Sequence, residues 1–289
     1  LTYYFDTHAH AVSADTATYP VRPLGGNRSD WSRTRPVDAD GLIRHLDEAG
    51  VQTAALVQAS TVYGYDNSYA ADTLAKYPDR LVGVCSVDFL SDTAVTDLRY
   101  WLEERHFTGV RIRVSDGDTK VATPGAGLSD ARMGAVWDYV DSRRVPVCVQ
   151  MHSKDTHKLL AVLETHPNLT VLLDHAGRPN AAGGPPYPRL AEIEQLTRYD
   201  GVHLKITPAA LRRLGDEPGA DVTEVLRRLA DGFGTRRLMW GSDFPASRGT
   251  ALSSRELVES RLSWLAEDQL RDVLGRNAAR VYGTPGDAA

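Results

Sequence analysis

Eight short β-rich runs, each followed by a stretch of helical periodicity, predict a single (β/α)8 or TIM barrel of the α/β class. Two further observations select the barrel over a doubly wound open sheet. Reactive side chains cluster at the C-terminal ends of several runs, and no GxGxxG or P-loop follows the first run. The runs fall at 3–7, 53–58, 81–87, 109–114, 146–151, 169–174, 202–206 and 237–240. Between them lie amphipathic stretches such as "DADGLIRHLDEAG", where Leu42, Ile43, Leu46 and Ala49 share a face, Asp38 or Asp40 caps the start and Gly50 ends it. "DTAVTDLRYWLEERH", "SDARMGAVWDYVDSRR", "PRLAEIEQLTRY" and "VTEVLRRLADGF" read the same way. No linker or low-complexity tract divides the 289 residues, so the expected organisation is one domain over 1–289.

Charge and composition narrow the partners. A formal net charge of −5 argues against electrostatic binding of nucleic acid or an anionic membrane and points to a small-molecule substrate. No apolar stretch approaches the roughly 20 residues needed to span a bilayer. Cys85 and Cys148 each sit in an apolar β-like run, as reduced core residues of a cytoplasmic protein do. The N-terminus lacks a signal-peptide pattern, although the chain opens on Leu1, which leaves a removed leader open. No sequence pattern sets an oligomeric state.

Active-site residues of such barrels stand where strands end. The first run leads into His8 and His10, two apart and therefore on one face of a strand, a common beginning of a metal site; the plain alternative is two half-exposed histidines entering a turn. The fifth ends in Gln150 and His152, the sixth in Asp174, His175 and Arg178, and the eighth in Asp243. Any one of these has a structural explanation, but together they converge on one rim.

Arg111 and Arg113 alternate with Ile112 and face the barrel interior or its mouth. They suit bidentate capture of a substrate carboxylate, or else pair with an internal acid such as Asp88. After the second run, Ser60, Tyr63 and Asn67 suit orientation of a polar ligand, while Tyr63 equally suits packing against its loop. Lys205 reads as a source of positive charge or as a salt-bridged structural lysine. The segment 11–37 is long for a βα loop and, with Tyr19, Arg22, Arg28 and Trp31, suits a cover over the barrel mouth. "AGRPNAAGGPPYP" is a second candidate wall.

The segments "DTHAH", "VQASTVYGYDN", "GVRIRV", "DHAGRP" and "LMWGSDFP", in that order over nearly the whole chain, resemble the amidohydrolase superfamily, and within it the amidohydrolase-related branch of 2-pyrone-4,6-dicarboxylate lactonase and sugar lactonases. The resemblance implies a (β/α)8 barrel, with His8 and His10 as the first-strand pair, His175 as the sixth-strand histidine and Asp243 as the acid that takes a proton from water. Two departures bear on the metal. Gln150 stands where many metal-dependent relatives carry a fifth-strand histidine, with His152 as the candidate substitute. Arg111 and Arg113 stand where some binuclear relatives place a bridging ligand, and guanidinium cannot ligate. The expectation is at most one divalent ion, zinc or manganese, on His8, His10, His152 and Asp243, with metal-free catalysis as in the pyrone lactonase as the alternative.

The expected activity is hydrolysis of a lactone, or a related ester or amide, of a small polar substrate bearing a carboxylate. Asp243 and His175 are the expected catalytic residues, and Ser60, Tyr63, Arg111, Arg113 and Arg178 the substrate-binding ones. Nonoxidative decarboxylation of an aromatic or enoic acid is the rival chemistry, and a non-catalytic binding barrel is the remaining alternative.

Overall fold

The computed structural model describes residues 2–114 and 127–285. Eight parallel strands neighbour one another in sequence order: β1 (Phe5–Ala9), β2 (Thr53–Val57), β3 (Leu81–Cys85), β4 (Phe107–Arg113), β5 (Val147–Gln150), β6 (Val171–Leu173), β7 (Val202–Ile206) and β8 (Leu238–Trp240). Runs such as Val-Leu-Leu in β6 are buried throughout, as strands covered on both faces require. Helices pack outside, and Leu42, Leu46, Leu98, Val140, Leu159 and Leu229 belong to the layer between helix and sheet.

Side-chain capping explains where several helices begin. Asp38 accepts from the Gly41 amide at the start of Ala39–Glu48, and Asp221 accepts from Thr223 and Glu224 at the start of Val222–Phe233; such caps contribute about 1 kcal/mol each. Gly50, in the left-handed region at φ 65°, follows the first of these helices, as its sequence position predicts. "PRLAEIEQLTRY" departs from expectation: it forms short turns at Pro188–Leu190, Ala191–Glu194 and Gln195–Arg198 rather than one amphipathic helix.

The barrel closes between β1 and β8 through side chains as well as backbone. His10 donates its amide to Phe244 O at 2.8 Å, Asp243 donates to His8 O at 2.7 Å, and Thr7 Oγ1 donates to Trp240 O at 2.7 Å. Asp6 Oδ1 accepts from the amides of His8 (3.0 Å) and Ser242 (2.8 Å), which ties the two strands through one carboxylate. Gly241 makes this approach feasible, because a Cβ there would stand 2.9 Å from Thr7 Oγ1 and 3.0 Å from His8 Cβ.

β1 differs from the expected run in both limits and register. It starts two residues later, and one extra residue intervenes between the pairs Asp6–Ala54 and Ala9–Leu56. Phe5 packs below the site with Cys148, Leu172, Met239 and Tyr282, yet His8 and His10, of opposite parity, face the same interior. The bulge reconciles the two by re-aiming the strand's upper half. Three layers result: an apolar floor, a charged middle holding Arg111, Asp174 and Lys205, and a histidine-lined mouth. Cys85 and Cys148 are free and buried, and among the described residues no helix is long and apolar enough to cross a membrane.

His203 on β7 lies outside the mouth and reports on the fold alone. Its Nδ1 is buried without a hydrogen-bond partner; burial, then Arg237 and Arg280, push its pKa from 6.5 to about 4. Because the folded value is depressed, protons favour the unfolded chain, so the stability His203 leaves intact above pH 6.5 is lost as pH falls through that window toward 4. Between pH 7.5 and 5.0, urea unfolding should show wild type losing about 1–2 kcal/mol more than His203→Gln. Equal losses in the two proteins would show that His203 is solvated.

Candidate active site

A buried carboxylate organises the middle of the barrel. Asp174, at the end of β6, stands 2.7 Å from Arg111 Nε of β4, 3.2 Å from Lys205 Nζ of β7 and 3.2 Å from His8 Nδ1 of β1. Burial opposes its charge, but Lys205, Arg111 and His8 together hold the carboxyl well below the usual range. Burial likewise works against the Lys205 charge, yet Cys148 and Asp174 leave the amine above its ordinary value. Arg111 also donates from Nη2 to Gln150 Oε1 at 2.7 Å. The internal acid that Arg111 meets is thus Asp174 rather than Asp88, and Lys205 is the salt-bridged structural lysine.

Above this layer His8, His10 and Asp243 converge. His8 Nε2 is 3.7 Å and His10 Nε2 3.8 Å from Asp243 Oδ1, and one ligand atom from each residue lies within 4.8 Å of the others. Second partners fix the tautomers. Val57 O, 2.7 Å from His10 Nδ1, can only accept, so His10 carries its proton on Nδ1; at His8 the Asp174 carboxylate, 3.2 Å from Nδ1, favours the proton there by its charge, and both rings present an Nε2 lone pair. Burial, ahead of Arg111 in the case of His10, pushes that imidazole down to about 3, and burial holds His8 well below its ordinary value. Both rings are neutral at pH 7, as ligands must be. Neither ring nitrogen of the buried His8 has a hydrogen-bond partner, and Nε2 is the one turned to Asp243, so a cation at the centre of the cluster fits the residues present.

Asp243 itself sits in the left-handed region, φ 54°, in the turn after β8. Burial pushes its carboxyl up to about 7, opposed by the Ser247 hydroxyl, which donates to Oδ2 at 2.7 Å, and by Arg111. His175 belongs to the same site, its ring centroid 5.3 Å from that of His8 and its Nδ1 2.9 Å from Thr207 Oγ1. His175 and Ala176 also adopt positive φ, 56° and 54°, which turns the chain sharply once β6 ends at Leu173.

His152 does not join the ligand cluster. β5 ends at Gln150, and His152 lies beyond it with Nε2 3.1 Å from Arg178 Nη1, so the expected fourth ligand is not brought to the other three. Arg113 donates to Ser60 Oγ at 3.3 Å, while its buried Nε has no hydrogen-bond partner. Burial, then Arg111 and Arg178, press its pKa down to about 9, and among the described residues no carboxylate forms an ion pair with it. Tyr63 accepts from the Ser13 amide at 2.8 Å and packs with Val12, Ala59 and Val62, which places its hydroxyl on the 11–37 segment. Asn67 is likewise used structurally, joined to Ser86 through backbone bonds at both ends of its amide. Trp31, from that same segment, stacks on His10 with ring centroids 5.5 Å apart and planes at 23°.

Sequence reasoning missed Asp6, Thr207, Arg212 and Ser247. Asp6 alone carried a signal, since it precedes His8 by two residues. Ser247 acts from a turn, and Thr207 and Arg212 from the N-cap and body of the helix Pro208–Asp216, whose placement against the site no periodicity reports.

Comparison with known proteins agrees with this architecture. A family model described as Amidohydrolase matches residues 5–284. L-fucono-1,5-lactonase of Burkholderia ambifaria is 26% identical over 299 residues, covering 98% of this chain and 96% of that protein. 4-Sulfomuconolactone hydrolase of Rhizobium radiobacter is 25% identical over 248 residues, covering 84% and 76%. An amidohydrolase from Burkholderia multivorans, solved with bound zinc, superposes with a TM-score of 0.76 at 21% identity, over 98% of this chain and 100% of that one. The closed ring of eight parallel strands, the histidine pair of β1 facing the acid that follows β8, and the match over 5–284 together establish that the chain belongs to the amidohydrolase family of hydrolases.

Proposed function

We propose that the protein opens a lactone of a small, polar, anionic substrate by hydrolysis. The convergence of His8 Nε2, His10 Nε2 and Asp243 Oδ1 at the barrel mouth is the observation that carries this reading, and the two lactone-hydrolysing relatives support it. The residues that would hold one divalent ion, zinc or manganese, are His8, His10 and Asp243; the zinc-bound relative favours zinc. Such an ion supplies Lewis-acid polarisation of the carbonyl oxygen.

The chain's own groups account for the proton and the charge. Asp243 Oδ1 accepts a proton from water as the water oxygen bonds to the lactone carbonyl carbon. Collapse breaks the ring C–O bond, and the same proton passes to the departing alkoxide, giving a hydroxy acid. A carboxyl near 7 suits both halves of this exchange, being a stronger base than an ordinary aspartate and still able to return the proton.

Arg113 supplies the anion specificity. In the interior, Arg111 and Lys205 are already matched by the buried carboxylates of Asp174 and Asp6, so those two cations are engaged within the barrel. Arg113 adds a guanidinium without a carboxylate partner among the described residues, its Nε unspent. A substrate carboxylate or sulfonate satisfies that donor. His175 and Ser60 line the same region, and Trp31 over His10 limits water on the other side.

A panel of L-fucono-1,5-lactone, 4-sulfomuconolactone and 2-pyrone-4,6-dicarboxylate, followed by acid release, tests the reading. An anionic lactone should be turned over with kcat/KM about tenfold or more above the neutral sugar lactone, the worth of one charge-assisted hydrogen bond. Carbon dioxide release from aromatic acids without opening of any lactone would move the assignment to decarboxylation. Asp243→Asn should abolish turnover with the fold intact, because an amide cannot take the proton.

The two arginines of β4 should separate in their variants. Arg113→Met should raise KM for the anionic lactone by about 1.5–3 kcal/mol of binding and leave melting little changed. Arg111→Met leaves Asp174 with Lys205 as its cation and Gln150 Oε1 without its donor, and should destabilise the fold by about 1–3 kcal/mol. Melting and KM behaving alike in both variants would remove the distinction between them.

A further inference from the structure

We propose that Ser247, backed by Arg212, is a positioning residue that fixes the carboxylate of Asp243 for proton transfer; this rests on the reading of Asp243 as the base. Ser247 is buried, 4% exposed, and lies one turn past Asp243. Its Oγ donates to Asp243 Oδ2 at 2.7 Å and accepts from Arg212 Nη2 at 3.1 Å. A guanidinium has no acceptor, so the single hydroxyl proton of Ser247 has one direction left, toward the carboxylate. Oδ2 is thereby held, and Oδ1 is the oxygen turned to His8 and His10.

Separate anchors hold the backbone of this turn. The Ser247 amide donates to Asp243 O at 2.6 Å, while Arg35 donates to Ser247 O at 3.4 Å and to Ala246 O at 3.2 Å. Removing only the hydroxyl therefore leaves the turn in place and frees the carboxylate to rotate about its χ angles. Arg212 reaches across from the helix Pro208–Asp216, whose N-cap, Thr207, also contacts His175 Nδ1. The capped helix after β7 thus reaches both candidate catalytic side chains, His175 directly through Thr207 and Asp243 by way of Ser247.

The test uses Ser247→Ala, Ser247→Thr and Arg212→Met beside Asp243→Asn, assayed on whichever lactone of the panel is turned over best. Ser247→Ala should lower kcat by roughly 10- to 50-fold with KM within about twofold of wild type, because ground-state binding does not use the hydroxyl. Ser247→Thr, which keeps the donor, should return kcat to within about threefold, and Arg212→Met should fall between. Melting temperature and zinc content of the Ser247 and Arg212 variants should match wild type. The proposal is overturned by a Ser247→Ala kcat within twofold of wild type, by Thr as impaired as Ala, or by zinc loss that accounts for the fall in rate. Near-normal turnover in Asp243→Asn would instead remove the base reading itself, whereas an inactive Asp243→Asn with a normal Ser247→Ala removes only the positioning role. Should Ser247→Ala fail to fold, Arg212→Met decides: wild-type kcat overturns the relay and a selective kcat loss supports it.

Discussion

The ion cluster on Asp174 is the constraint on which the rest of the barrel depends. One carboxylate without solvent contact receives Arg111 from β4, Lys205 from β7 and His8 from β1, so it couples four of the eight strands at one level. Taking these charges out of water is tolerable only because each has its counterpart within about hydrogen-bond reach. The same carboxylate also decides chemistry at the next level up. Its negative charge, 3.2 Å from Nδ1 of His8, favours the ring proton on that nitrogen and leaves Nε2 as the lone pair facing the mouth, as the Val57 O hydrogen bond does for His10. Structure and reactivity here share one side chain, and removing any cation around Asp174 disturbs both.

The mouth is assembled by local departures from regular geometry. A bulge in β1 brings both histidines inward, positive φ at His175 turns the end of β6, and positive φ at Asp243 directs its carboxylate back across the barrel. Each places a side chain where an undistorted strand would not, and each is held by neighbouring bonds: Asp6 to Ser242, Thr207 to His175, Ser247 to Asp243. The segment 11–37 meets this mouth through Trp31 on His10 and Tyr63 on Ser13.

Fold and ligand cluster were legible in the sequence for different reasons. The apolar runs that became β2, β4 and β7 announce themselves by composition, and their order dictates a closed parallel sheet. His8, His10 and Asp243 were legible because barrel chemistry collects at strand ends, and strand ends are readable. The partner of Arg111 was not, since Asp88 follows the strand next to β4 but turns into its own loop to accept from the Leu90 amide, whereas Asp174 follows directly on β6 and points into the barrel. His152 shares parity with Gln150, but parity lapses where the strand stops, and β5 stops two residues before it. Ser247 was invisible because its role comes from a turn, where spacing carries no fixed direction.

Anomalous diffraction at the zinc edge from the zinc-loaded enzyme tests the central claim most directly: that Asp174 and Val57 O set His8 and His10 to present two neutral Nε2 atoms to one ion beside Asp243. The account predicts a single peak about 2.0–2.2 Å from His8 Nε2, His10 Nε2 and an Asp243 oxygen, with His152 outside the coordination sphere. A peak bound through Nδ1 of either histidine, or one completed by His152 in place of Asp243, would contradict it.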